Sequence, residues 1–295
     1  MPDECAKALA PTIALFGGTT TPVNEETKRL ALAILEEGNS EIWVCDPRRD
    51  AMIKLTSDKR VYSNPTWSPD GRYILFSAQG GAISWTRADG AGQPQQLLES
   101  KQALSPWSFS PDGMHLAYFE LGSTGGQILT VSVTEENGQL KAGMPEPFFP
   151  SKFSNGNAEF SPDGRWLAYV TNESGQNEVK VRPFPQPASL GQDGSWQISN
   201  SGGTQPKWAR NRRELLYQTG DRILAVSYSV NGNTFVAEKP RVLIEKLGGT
   251  DWDLAADGRI AILTPAAAPS AQAAEHTVVF LENFFDELRR RVQVK

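Results

Sequence analysis

Apolar and polar positions along this chain of 295 residues follow one short pattern that occurs six times. Each copy has an apolar anchor residue, then a tight turn, and then a run rich in apolar side chains. Three copies are clear (WSPDGRYILF, FSPDGMHLAY and FSPDGRWLAY) and three are degenerate. The anchor residues are Val23, Trp67, Phe109, Phe160, Trp208 and Leu254. Successive anchors lie 44, 42, 51, 48 and 46 residues apart, and a β unit repeated at this period is typical of a β-propeller.

The turn in each clear copy predicts a hairpin. Ser at the first position, Pro at the second and Gly at the fourth favour a type I turn, so one strand ends at the anchor and the next begins after the glycine. Runs suited to half-buried strands follow, such as Tyr73–Phe76 and Trp166–Val170. Further turn signals separate two more strands in each unit. The sequence therefore predicts an all-β fold, a six-bladed β-propeller of four-stranded antiparallel blades.

We expect a single domain over residues 1–295. The predicted blades cover about residues 21–60, 61–101, 102–150, 151–200, 201–247 and 248–282. The last blade lacks one strand, and the apolar run Thr12–Phe16 is expected to complete it, because this closure would remove exposed strand edges. A short C-terminal helix is expected over residues 283–295, where Asn283 can cap the helix and apolar side chains share one face.

Composition excludes some classes of function. A net charge of −5 argues against nucleic-acid binding, and no run approaches the roughly 20 apolar residues that span a bilayer. The chain begins with acidic residues where a secretory signal peptide needs basic ones, so we expect a soluble protein with no signal peptide in this chain. Its two cysteines, Cys5 and Cys45, do not form a disulfide framework, and we expect free thiols.

The repeated phrase W/F-SPDG-x-x-L-A/L-Y/F, together with IWVCD at Ile42–Asp46, resembles the TolB-type propeller repeat. The stretches FSPDGRWLAYVTNESGQNEVKVRPFP, SWQISNSGGTQPKW and VVFLENFFDELRRRV resemble the C-terminal propeller of bacterial serine/threonine kinases, and the resemblance covers about residues 20–295. It implies a bacterial sensor or scaffold, often extracytoplasmic, that binds a peptide, a protein or a small ligand. The chain has no kinase motifs (no HRD, no DFG), so we expect no kinase activity.

The innermost strands of a propeller line its central channel. Because side chains alternate along a strand, the residues one and three places before each anchor are expected to face the channel if the anchor packs between blades. These positions hold Thr20, Pro22, Asn64, Thr66, Pro106, Ser108, Asn157, Glu159, Gln205, Lys207, Asp251 and Asp253. Three carboxylates and three amides would thus form a ring. A bulge in one strand would turn these side chains to the other face.

Carboxylate and amide oxygens from separate segments are the ligands that hard divalent cations prefer. The ring is similar in type to the metal site of six-bladed calcium-dependent hydrolases. We therefore expect a divalent metal, calcium, in the channel. Its predicted ligands are Asn64, Asn157, Glu159, Asp251 and Asp253. Lys207 leaves two interpretations open, since it could stabilise developing negative charge or neutralise the acids and exclude a cation.

Two functions are consistent with this ring. The first is a binding propeller that takes a small molecule, or a peptide or protein segment, at the channel mouth. The second is a metal-dependent hydrolase of phosphotriesters, lactones or activated esters. The predicted ligand contacts are Thr66, Ser108, Gln205 and Trp252, and the predicted catalytic residues are Glu159, Lys207, Asp251 and Asp253. The repeated aspartates of the SPDG turns are expected to cap their turns instead.

Overall fold

A computed structural model describes residues 29–36, 38–46, 48–123, 125–186, 194–249, 251–265 and 276–280. In these ranges the chain forms twenty-four β-strands and no helix. The strands form six antiparallel sheets, each built from strands that follow one another in sequence. The all-β prediction is confirmed for this part of the chain.

The first three sheets contain the N-terminal half of the described strands. The first sheet is β1 (Leu30–Glu36), β2 (Asn39–Asp46) and β3 (Ala51–Lys54). The second is β4 (Tyr62–Trp67), β5 (Tyr73–Ala78), β6 (Ala82–Arg87) and β7 (Gln95–Glu99). The third is β8 (Leu104–Phe109), β9 (His115–Gly122), β10 (Gly125–Glu136), β11 (Gln139–Ala142) and β12 (Glu146–Pro147), where β11 and β12 both pair with β10.

The last three sheets repeat this order. The fourth is β13 (Asn155–Phe160), β14 (Trp166–Thr171), β15 (Glu178–Pro183) and β16 (Trp196–Gln197). The fifth is β17 (Thr204–Trp208), β18 (Glu214–Thr219), β19 (Arg222–Asn231), β20 (Thr234–Ala237) and β21 (Arg241–Ile244), where β20 and β21 both pair with β19. The sixth is β22 (Asp251–Leu254), β23 (Ile260–Pro265) and β24 (His276–Phe280).

Consecutive sheets pack against each other, and a cluster of buried apolar side chains fills each of the five interfaces between them. The anchors Trp67, Phe160 and Trp208 are buried in these clusters, as the repeat predicts. Trp166 lies between the fourth and fifth sheets, with its ring edge-on to Phe235 at 5.3 Å between centroids. Each interface removes large apolar side chains from water, which is the dominant favourable contribution to folding.

The SPDG segments are turns held by their serine and aspartate side chains. In the fourth sheet, Ser161 Oγ donates to Asp163 Oδ1 at 2.6 Å and accepts from Trp166 N at 3.0 Å. Gly164 closes the turn with a φ of 68°, a conformation that glycine adopts without strain. In the third sheet, the hydrogen bond from Ser110 holds the pKa of Asp112 below its ordinary value. The prediction that these aspartates cap turns is confirmed.

The first strands of four sheets depart from strict alternation. A bulge separates Ser63 from Thr66 on β4, and similar register shifts occur on β8, β13 and β17. On β22 the pairing with β23 is regular from Asp251 to Leu254. The assumption that side chains alternate before every anchor is therefore wrong for β4, β8, β13 and β17 and correct for β22.

Several expectations concern other parts of the chain. The closing strand at residues 12–16 and the helix at residues 283–295 lie outside the described residues. The exact division into blades stays a prediction.

Cys45 is buried and disulfide-bonded, so the free thiol expected there is wrong. The part of the chain that the structure describes holds no helix able to span a membrane.

Replacing Ser161 by Ala should lower the free energy of unfolding by about 1–2 kcal/mol, because the fully buried hydroxyl joins the turn to the backbone N–H of Trp166. Urea unfolding followed by tryptophan fluorescence measures the change. Ser174→Ala is the matched control, since Ser174 is exposed and should change stability by less than about 0.5 kcal/mol. Equal effects in the two variants would contradict the structural role given to Ser161.

Candidate functional site

Five of the predicted site residues meet where the first strands of the fourth, fifth and sixth sheets run side by side. They are Glu159 on β13, Gln205 and Lys207 on β17, and Asp251 and Asp253 on β22. The Nζ atom of Lys207 lies 3.0 Å from Asp253 Oδ1 and 3.8 Å from Glu159 Oε2. We call these five side chains the inner cluster. The sequence predicted all of them for one ring.

The ion pairs of the inner cluster are shielded from water. Only 11% of the Lys207 side chain and 9% of the Asp253 side chain are exposed, whereas Glu159 is 24% exposed. Burial alone would lower the pKa of Lys207, but the carboxylates of Asp253 and Glu159 outweigh it and raise that pKa above its ordinary value. Lys207 is therefore a fixed positive charge between two carboxylates.

Asp251 is held by two donors and is almost completely buried. Its Oδ1 accepts a hydrogen bond from Gln205 Nε2 at 3.0 Å and another from its neighbour's backbone, Trp252 N, at 2.9 Å. Only 2% of Asp251 is exposed, and burial raises its pKa to about 7 against the opposing attraction of Lys207. Its carboxyl group therefore takes up a proton at a much higher pH than an exposed aspartate does.

Two acceptor oxygens of this pair have no donor. Asp251 Oδ2 and Gln205 Oε1 are both buried and make no hydrogen bond. A buried polar atom without a partner costs about 1–3 kcal/mol, so such atoms in a folded protein point to a missing proton, water or ligand. The two atoms belong to residues that are already bonded to each other through Gln205 Nε2. This is the feature of the inner cluster that most favours binding.

The local backbone explains how these side chains come together. Asp251 and Asp253 lie on one face of β22 because pairing there is regular. The same alternation places Trp252 on the opposite face, where it is fully buried in the cluster between the fifth and sixth sheets. Trp252 thus presents no surface to a ligand, which disagrees with its predicted ligand contact. On β17 the bulge and a φ of 48° orient Gln205.

Thr66 and Ser108, both predicted as ligand contacts, join neighbouring sheets. The Thr66 hydroxyl donates to Pro106 O at 3.3 Å, from the second sheet to the third. The Ser108 hydroxyl accepts from Phe160 N at 3.0 Å, from the fourth sheet. Each side chain is buried. Their hydroxyls therefore hold inner strands in place, and a ligand contact there stays a prediction.

Asn64, Asn157 and Gln205 occupy equivalent positions on their strands, three residues before the anchor. Their φ angles are 52°, 48° and 48°, in the left-handed region that asparagine tolerates better than most residues. The amides at two of these positions thus have a backbone reason to be asparagine. The role of Asn64 and Asn157 as metal ligands stays a prediction. The bulges on these strands explain why amide residues recur at this position without any metal.

Trp208 was assigned by sequence only to packing, yet it also positions the inner cluster. Its indole Nε1 donates to the backbone carbonyl of Glu159 at 2.9 Å, which ties β17 to β13. A tryptophan at an anchor position was visible in the sequence. Its bond to a neighbouring strand was not, because no local pattern encodes the distance between two sheets.

The inner cluster fits calcium poorly. Calcium prefers six to eight oxygen ligands, and a cation between Glu159 and Asp253 would have to approach the ammonium of Lys207. The described residues contain no group of three or more His, Cys, Asp or Glu side chains arranged to hold a metal ion. In this geometry Lys207 supplies the positive charge, which is the second of the two interpretations open for that residue.

A cavity of about 580 Å³ lies elsewhere, between the second and third sheets. It is lined by the turns that contain Asp70 and Asp112, with Arg72, Met114 and Glu135 beside them. Arg72 bonds to both Asp70 and Glu135, and Asp70 also accepts from its serine. Because these charges are paired within the protein, the cavity provides weaker support for ligand binding than the inner cluster.

No protein-family model matches the chain. Among curated proteins it is similar to the uncharacterized peptidase YuxL of Bacillus subtilis (strain 168), at 22% identity over 165 residues. The match takes in 45% of this chain and 25% of YuxL, so the matched part is about a quarter of that relative's length.

Solved structures show the same fold. The β-propeller domain of Cps50 (Swd1) from Myceliophteria thermophila has a TM-score of 0.59 at 15% identity, over 85% of this chain and 81% of that one. TolB from Acinetobacter baumannii has a TM-score of 0.53 at 14% identity, over 89% of this chain and 59% of that one. The chain therefore has a β-propeller fold, consistent with the TolB-type repeat. The resemblance to kinase propellers is not confirmed.

Replacing Lys207 by Met should lower the free energy of unfolding at pH 7 by about 3 kcal/mol, because it removes the ammonium that pairs with the buried carboxylate of Asp253 at 3.0 Å. Lys180→Met is the matched control. Lys180 pairs with Glu173, whose side chain is 49% exposed, and the loss should stay below about 1 kcal/mol. Chemical unfolding measures both, and equal losses would contradict the central charge assigned to Lys207.

Proposed function

We propose that this chain is a six-bladed, TolB-like β-propeller that binds a ligand or a protein segment at the inner cluster. The observation that supports it most is the pair of buried oxygens, Asp251 Oδ2 and Gln205 Oε1, that have no hydrogen-bond donor. Because both oxygens are buried, a ligand reaches them only when neighbouring side chains move. A ligand that then donates to both would remove their desolvation cost, which gives binding a free-energy gain at this position. The other members of the cluster, Glu159, Lys207 and Asp253, are held together by ion pairs, which fix the charges beside this position.

The propeller fold favours a short peptide segment or a small molecule as the binding partner. A propeller brings side chains from several sheets to one place, so a short peptide segment or a small molecule can contact more than one sheet at once. The resemblance to the propellers of bacterial kinases supports a sensor or scaffold without kinase activity. The disulfide bond at Cys45 supports an oxidising, extracytoplasmic location, where such bonds persist.

Calcium binding at the inner cluster is proposed only for a rearranged cluster. Lys207 would have to move away from Glu159 and Asp253 before a divalent cation could bind there. A variant without that ammonium, Lys207→Met, is therefore the form in which calcium affinity should be highest.

A second candidate function is a hydrolase of phosphotriesters, lactones or activated esters. It is favoured by one observation: a carboxyl group with a pKa of about 7, at Asp251, has the proton affinity that a general base needs at neutral pH. Asp251 would take a proton from the attacking water, while Lys207 would stabilise negative charge that develops on the substrate. The similarity to a protein described as a peptidase agrees with this class but covers only 25% of that protein.

Selection of random displayed peptides against the whole chain tests the binding function. We expect enriched peptides that bind the wild type and bind Gln205→Ala at least about tenfold more weakly, because that change removes a buried acceptor of the site. Gln218→Ala is the matched control, since Gln218 lies on β18 and bonds locally to Gly220 O at 2.9 Å. Peptides that bind all three proteins equally, or no enrichment at all, would refute the proposed site.

Turnover of a chromogenic phosphotriester and a p-nitrophenyl ester, with and without a chelator, tests the hydrolase. Turnover that falls by at least about a hundredfold in Asp251→Asn would support Asp251 as the base. Glu173→Gln is the control, because that carboxylate is exposed and pairs with Lys180 away from the inner cluster. Equal rates in Asp251→Asn and the wild type would exclude this residue from catalysis, and absence of turnover would leave the binding function.

A further inference from the structure

We infer that the cavity between the second and third sheets is a docking site for a protein segment that carries an aromatic side chain next to a lysine or arginine. The cavity has a volume of about 580 Å³, which lies within the usual range of ligand pockets. None of the five side chains of the inner cluster lines it. The inference therefore goes beyond the binding function proposed above and does not depend on it.

A small side chain lines this cavity where the next interface along the chain has an aromatic one. The backbone N–H of Val133, a lining residue, donates to Met114 O at 2.8 Å. In the fourth sheet, the N–H of Phe184 donates to Arg165 O at 2.8 Å. Met114 and Arg165 each follow the glycine of an SPDG turn, so Val133 and Phe184 occupy equivalent places in the repeat.

The ring of Phe184 shows which group fits such a space. It packs edge-on against Phe160, with 4.8 Å between ring centroids, and against His115 at 5.1 Å. The corresponding positions one sheet earlier hold Phe109 and Tyr73, and both residues line the cavity. An aromatic side chain from a partner would therefore pack between two aromatic rings that are already in place.

The charges of the lining residues favour a basic neighbour for that aromatic side chain. Asp112 is exposed beside the cavity, and the hydrogen bond from Ser110 keeps its pKa low, so the carboxylate is ionised at neutral pH. The guanidinium of Arg72 already pairs with Asp70 and Glu135. The described residues that line the cavity thus carry three carboxylates and one guanidinium. A lysine or arginine of the partner would be attracted there, and an acidic residue would be repelled.

The test titrates three capped dipeptides into the full chain: N-acetyl-phenylalanyl-lysine amide, N-acetyl-alanyl-lysine amide and N-acetyl-phenylalanyl-glutamate amide. The reporter is the amide resonance of Met114, whose N–H donates to Asp112 Oδ1 at 2.9 Å. We expect a saturable shift with the phenylalanyl-lysine probe. Binding should be at least about tenfold weaker without the phenyl ring, and about fivefold weaker with glutamate at low salt.

Filling the cavity from within should block the site. In Val133→Phe the added ring takes the space that Phe184 takes in the next interface, so the phenylalanyl-lysine probe should bind at least about tenfold more weakly, with no fall in melting temperature. Met114→Gln is a second variant at a lining residue that is 56% exposed, and it should weaken binding about threefold. Met144→Gln is its matched control, since Met144 is 84% exposed and lies outside the lining.

The charge preference has its own pair of variants. Asp112→Asn keeps an oxygen that accepts from Ser110 and Met114, and it should reduce the preference for lysine over glutamate about threefold. Asp163→Asn makes the same change in the turn of the fourth sheet and should leave the preference unchanged.

The inference is overturned if the phenylalanyl-lysine probe gives no saturable shift, if the alanyl probe binds equally well, or if folded Val133→Phe binds like the wild type. If Val133→Phe lowers the melting temperature, the two methionine variants decide, and equal binding by both would overturn the site. Equal affinities for lysine and glutamate would overturn the basic neighbour. The binding function at the inner cluster fails separately, when the displayed peptides show no dependence on Gln205.

Discussion

Hydrogen bonds between the inner strands of neighbouring sheets fix the geometry on which the candidate site depends. The hydroxyl of Thr66 reaches Pro106 O, the backbone N–H of Phe160 reaches the hydroxyl of Ser108, and the indole of Trp208 reaches Glu159 O at 2.9 Å. Each bond crosses from one sheet to the next. Apolar packing holds the sheets together without specifying a position along the strands, because it is not directional. These bonds supply that position, so side chains from three sheets can meet with contacts of 3.0 to 3.8 Å.

The sequence was sufficient to predict the sheets, the turns and the anchors, and it identified the members of the inner cluster. Trp67, Phe160 and Trp208 pack between sheets because large apolar residues before a tight turn have no other place in a propeller. The serine and aspartate of each turn were equally visible, since their spacing defines the turn type. Local patterns of this kind act within a few residues, which is the distance over which a sequence can be interpreted without a structure.

The sequence identified the residues of the inner cluster correctly, but the assumption used to find them, strict alternation of side chains along each strand, was wrong for β17. Alternation holds on β22, and there it should have placed Trp252 in the core; the side chain has no exposed surface. On β17 the bulge breaks the alternation, and yet Gln205 and Lys207 still reach β22. A bulge inserts a residue and leaves little trace in the hydrophobic pattern. The position of Lys207 between two acids also depends on strands far apart in sequence, so no spacing rule could have given it.

The inner cluster carries more negative than positive charge whenever all its carboxylates are ionised. A proton or a metal ion can correct this, and the position of Lys207 selects between them. Near Glu159 and Asp253 the ammonium repels any second cation, which disfavours a metal. At Asp251 burial raises the pKa to about 7, so a proton can neutralise this carboxyl group near neutral pH.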